Sequence, residues 1–168
     1  MSITKINADV MDLGDDYTFT GAVGGAGKAL QIVYADSYAF VSTTAGVPFD
    51  DTIMQKTEGA EFITLAITPT ASDSILKIEF NGSVNGDTWH AIGLFQDDTS
   101  DALFSSIQYN SGAENLSVIH LMTAGTTSST TFKIRSGGAG GTSAINGNTS
   151  KKGGDIPHTT LVITEYGA

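Results

Sequence analysis

Apolar and polar residues alternate most cleanly from Ser74, where Leu76, Ile78 and Phe80 take every second position and Lys77 and Glu79 lie between them. A period of two sends successive side chains to opposite faces, so this stretch reads as a strand with one buried and one wet face. Residues 81–87, Asn-Gly-Ser-Val-Asn-Gly-Asp, contain two Asn-Gly pairs, which accept turn geometry and predict a central hairpin over residues 74–96. The returning strand carries Trp89, Ala91, Gly93 and Phe95 on one face and Ile92 and Leu94 on the other. Being apolar on both faces, it must be covered on both, by a second sheet or by a neighbouring subunit.

The same reading extends along the chain. Strands are expected at residues 30–36 and 37–44, with a crossing segment at 48–53. A further strand at 61–68 is stopped by Pro69. Others follow at 102–109, 116–123, 130–136 and 159–166. In the third of these Phe132 and Ile134 point inward and Lys133 and Arg135 outward, while the last is apolar on both faces and belongs inside a sheet. Residues 136–154 are Gly, Ser, Asn and Lys with little to bury, which predicts a long exposed loop. No window shows a sustained 3.6-residue apolar repeat. About eight to ten strands joined by turns imply an all-β protein, a two-sheet antiparallel jelly-roll sandwich.

Composition adjusts this picture in three ways. Glycine occurs 20 times, which suits short strands and tight turns. The formal net charge is −10, which opposes nucleic-acid binding and docking to an anionic membrane surface. There are no cysteines, so neither disulfides nor thiolate metal sites contribute. The first residues lack a hydrophobic signal region and no run approaches membrane-spanning length. Synthesis in a cytoplasm without a signal peptide, and no membrane insertion, are therefore expected.

Residues 1–31 differ in texture. Ile3, Val10 and Leu13 alternate loosely, Gly14-Asp15-Asp16 interrupts, and Tyr17-Thr18-Phe19-Thr20-Gly21 precedes a run of small residues. An isolated chain buries too little here to hold one conformation, so several copies winding together or docking on another protein are expected. The run Ile3-Thr4-Lys5, Ala8-Asp9-Val10, Asp12-Leu13, Tyr17 to Gly21, Val23 and Gly27-Lys28 resembles the N-terminal shafts of tailed-bacteriophage fibre and appendage proteins. The remainder resembles, in strand count and spacing, the trimeric jelly-roll heads of the tumour necrosis factor type.

The resemblance implies a homotrimeric virion protein. Residues 1–31 would form the shaft, with Ile3, Val10, Leu13, Tyr17 and Phe19 anchoring it to another virion protein. Residues 32–168 would form a head that attaches to a host-surface glycan or protein. Two other functions fit the sequence: a capsid decoration or head-fibre protein that binds the shell, and a carbohydrate-binding module.

Motifs for catalysis are not found. There is no Gly-x-Ser-x-Gly elbow, and the glycines at 137–141 are followed by neither a Walker lysine nor a predicted helix. His90, His120 and His158 lie in separate segments without metal-pair spacing, although copies of one histidine could meet at a trimer axis. Asp97, Asp98 and Asp101 offer oxygen ligands but lack the glycine and closing glutamate of an EF-hand, and a solvated turn is the simpler expectation. No catalytic residue, cofactor or metal is assigned. For surface binding the candidates are Trp89 and Tyr109, which can stack on a sugar, and Lys151 and Lys152, the basic pair in an acidic head. Tyr34 and Tyr38 are further exposed-ring candidates. Core packing competes for Trp89 and ordinary loop solubility for the lysines.

Overall fold

The computed structural model describes residues 27–86, 89–109 and 112–168. The strands in order are β1 (Ala29–Ser37), β2 (Val41–Thr43), β3 (Ala60–Ile67), β4 (Ile75–Gly86) and β5 (His90–Gln96). They are followed by β6 (Phe104–Gln108), β7 (Gly112–Thr123), β8 (Thr130–Gly138), β9 (Ser143–Ile145) and β10 (Thr159–Tyr166). A single 3-10 turn, Gly153–Asp155, is the helical element among the described residues. The expected β1 opens at Ala29, so the sandwich takes in residues 29–31 from the end of the proposed shaft. Ile3, Val10, Leu13, Tyr17 and Phe19 lie outside the described residues.

The strands form two antiparallel sheets that pack as a sandwich. In the first, β4 pairs with β7 along its whole length, and its other edge takes β10 and then β9. β1 lies outside β10 and β2 outside β9. The second runs β3-β8-β5-β6. Between them Leu76, Ile78, Phe80, Leu161 and Ile163 from one sheet meet Ile92, Leu94, Phe132 and Ile134 from the other, all fully buried. The alternation read from the sequence thus places the core, and β10 lies inside its sheet as expected.

The central hairpin does not form. β4 continues through Asn81-Gly82 to Gly86, and β5, from His90, belongs to the opposite sheet, so the two strands do not pair. The glycines serve close packing here: a Cβ at Gly82 would lie 2.9 Å from Thr159 Oγ1, and one at Gly86 would lie 2.9 Å from the His90 ring. Asn-Gly reads alike in both roles, and the partners β7, β9 and β10 decide between them.

The loop expected at 136–154 also needs correction. β8 extends to Gly138, and Ser143, Ala144 and Ile145 form β9, fully buried between β4 and β2. One isoleucine among small residues gives little periodic signal, but the edge of β4 left uncovered beyond β10 supplies a ladder for it.

The outer face of β5 is covered, though neither by a second sheet nor by a neighbour. Residues 45–59 fold over it, and Val47 and Met54 pack on Trp89, Ala91 and Phe95. The outward guanidinium of Arg135 clamps this segment, with Nε donating to Glu58 O at 2.9 Å and Nη2 to Gly59 O at 2.7 Å. Gly59 N–H donates to Gly46 O at 2.9 Å and Val47 N–H to Gly138 O at 3.1 Å.

Candidate functional site

The outer face of the first sheet is a large surface that the described residues do not cover. Registers align Ile32, Thr164, Lys77 and Leu121 in one row across β1, β10, β4 and β7, and Tyr34, Val162, Glu79 and Ile119 in the next. Ile32 is 62% exposed, Tyr34 71%, Ile119 56% and Leu121 62%. They form two apolar strips, one at each edge of the face. Between the strips Lys77 Nζ and Glu79 Oε1 pair at 2.9 Å, on the same strand face two residues apart. Hydrogen bonding to Glu79 is the main cause that raises the Lys77 pKa, so the centre of the face is charged but balanced. An exposed face of this kind marks an interaction surface.

The other sequence candidates scatter. Trp89 is buried and packs against Phe49, with ring centroids 5.0 Å apart, so it leaves the surface-binding set: β5 needed a large ring under the covering segment. Tyr109 is 79% exposed at the end of β6. Lys151 and Lys152 are exposed beside the short bridge between Gly147 and Lys151. Tyr38 is half exposed and stacks on His158 at 5.0 Å. Strand ends of both sheets gather along one side, since His90 pairs with Gln108 and Gly138 in one sheet, and Gly86 with Gly112 and Ser143 in the other.

The aspartates of residues 97–101 do not converge. Asp97, with a positive φ of 50°, accepts from Thr131 N–H at 2.7 Å and Thr130 Oγ1 at 2.8 Å. Asp98 pairs with Lys56 at 2.6 Å, and Asp101 accepts from Gln55 at 3.0 Å. Among the described residues no group of three or more His, Cys, Asp or Glu side chains is placed to hold a metal.

His90 cannot meet its own copies at an axis, because it is fully buried between the sheets. Among the described residues neither ring nitrogen has a hydrogen-bond partner, and nor do the buried hydroxyls of Ser136 and Ser143. Burial lowers its pKa, opposed more weakly by Glu114. Below about pH 6.5 the unfolded chain takes up a proton that the folded ring resists, so stability falls as pH drops through that value. His90→Leu removes both the unpaired nitrogens and this proton uptake. Its melting temperature is expected to exceed wild type by more at pH 5 than at pH 8; equal differences at the two pH values would refute this assignment.

No family model matches the chain, and no curated protein matches it. Among solved structures, the crystal structure of dimeric latent PorU from Porphyromonas gingivalis is similar, with 11% identity and a TM-score of 0.37 over 84% of this chain. The chain spans 14% of that protein's length. An overlap so slight carries nothing about PorU over to this chain.

Proposed function

We propose that this chain is a non-enzymatic structural component of a tailed-bacteriophage virion, a homotrimeric fibre- or spike-type protein whose jelly-roll head attaches to the host surface. The observation that carries the multi-copy reading is the exposed face with Ile32 and Tyr34 along one edge and Ile119 and Leu121 along the other. The strip at β7 of one copy meets the strip at β1 of the next, a head-to-tail contact that three copies close into a ring. At its centre the charges are the balanced Lys77–Glu79 pair, so the middle of the face adds no net charge to copies that each carry −10. Successive strands that pass from sheet to sheet, as from β3 to β4 to β5, support the jelly-roll reading.

The resemblance in residues 1–28 supports the shaft and its anchoring to another virion protein. Attachment then works by avidity, since three weak contacts held together exceed one.

The double variant Ile119→Lys/Leu121→Lys leaves the monomer's core untouched and is expected to weaken self-association by at least about 100-fold, the worth of two apolar side chains kept from burial. Sedimentation velocity reads the outcome. A wild-type chain that stays monomeric at micromolar concentration would sink the reading.

A further inference from the structure

Six positions beyond Glu79 along the same face of β4, the sheet surface changes character. Ser42, Ala144 and Asn85 lie side by side across β2, β9 and β4 and floor a cavity of about 380 Å³. Phe40, Thr142, Asn148 and Thr149 complete its lining. We infer that this cavity binds a neutral saccharide, which gives the proposed attachment reading its receptor chemistry.

The central residue is Asn85. The residue as a whole is only 6% exposed, it lines the cavity, and its side-chain amide, which makes no hydrogen bond among the described residues, is left open to the cavity. An amide that faces a cavity with both ends unpaired by protein offers a donor and an acceptor to whatever enters it. An amide both donates and accepts, as does each hydroxyl of a sugar, so adjacent hydroxyls satisfy its two ends.

The hydroxyl-bearing Ser42 and Thr149 and the second amide, Asn148, extend the same chemistry around the rim. Ala144 between Ser42 and Asn85 is small enough to leave depth in the floor.

Phe40 supplies the apolar element. A Cβ at Gly147 would lie 2.7 Å from its ring, so the ring rests against the bare backbone of Gly147. The ring face suits the C–H face of a pyranose. The volume falls in the range of about 300–1,000 Å³ usual for small-molecule sites.

Among the described residues no charged side chain lines the cavity. In a chain of net charge −10, an anionic ligand entering it would meet repulsion without a counter-charge. This separates the site from Lys151 and Lys152, which would favour acidic glycans.

The full chain is to be probed on an array of neutral and acidic oligosaccharides, with saturation-transfer NMR on those retained. Wild type is expected to retain neutral glycans. Asn85→Ala is expected to weaken them by about tenfold, the worth of one or two buried hydrogen bonds. Ser42→Tyr, made from an exposed position, fills the cavity and should abolish binding with an unchanged melting temperature. Retention of acidic glycans alone, no retention of any neutral glycan, or equal binding by both variants would overturn the site. Sedimentation of the same samples separates this from the assembly reading. A monomer that binds sugar overturns only the trimer, and a trimer that ignores every neutral glycan overturns only the site.

Discussion

Glu165→Ala is expected to lower the unfolding free energy by about 3 kcal/mol at neutral pH, because it removes a buried carboxylate that accepts from the partly buried donors of Gln31 and Thr70. Glu165 is fully buried near the end of β10. Its carboxylate accepts from Gln31 Nε2 at 2.6 Å, from Thr70 N–H at 2.8 Å and from Thr70 Oγ1 at 2.7 Å. Burial by itself would raise its pKa. The bonds from Gln31 and Thr70 outweigh that and hold it at about 2, against the ordinary 4.5. The carboxylate thus ties together β1, the turn after β3 and the closing strand.

The depressed pKa fixes a pH dependence. The folded state holds its charge while the unfolded chain protonates, so the stabilisation is complete above about pH 4.5 and is lost as pH falls toward 2. The difference is worth up to about 3 kcal/mol. Glu165→Gln keeps the shape without the titration, so its stability should be nearly flat across that window while wild type declines. Urea melts at intervals between pH 5 and pH 2 measure both. Parallel declines for the two proteins would refute the role given to Glu165.

The second large effect is expected from Gly137→Ala. Gly137 pairs with Ala91 on the outer face of the second sheet. An added Cβ would lie 2.4 Å from Ala45 O and 2.9 Å from Gly59 Cα. Both are backbone atoms, so no rotamer relieves the clash and residues 45–59 must move outward. The loss should be about 2–3 kcal/mol, as for overpacked cores. Lifting that segment wets Trp89, the single tryptophan of the chain, so native fluorescence should shift to the red. Gly112→Ala, where a Cβ meets nothing within 4 Å, is the matching control and should leave both readings unchanged. A variant as stable and as blue-emitting as wild type would show that the covering segment is not packed as described.

Most of the strands were legible because a single buried face writes itself as alternation. Leu76, Ile78 and Phe80, or Phe132 and Ile134, need no partner to be recognised. β9 was not legible: Ser143, Ala144 and Ile145 are buried because β4 offers them an edge, and nothing in their own composition reveals it. The same holds for the proposed binding cavity. Asn85 reads as a turn residue beside Gly86, and Ser42 on one side and Ala144 with Asn148 on the other come from segments far from it in the chain. Glu165 lay unnoticed in a closing strand because its partners, Gln31 and Thr70, are about a hundred residues or more distant.

The sequence by itself determined an all-β chain, where its core residues lie, and that β5 requires cover on both sides. Tertiary structure alone decided what supplies that cover, turned the expected hairpin into a crossover between sheets, and settled Trp89 in the interior under residues 45–59 rather than in a sugar-binding surface. The physical reason is that alternation reports whether a side chain is buried, whereas the identity of the burying partner depends on ladders and clamps between distant segments, such as Arg135 on Glu58 and Gly59.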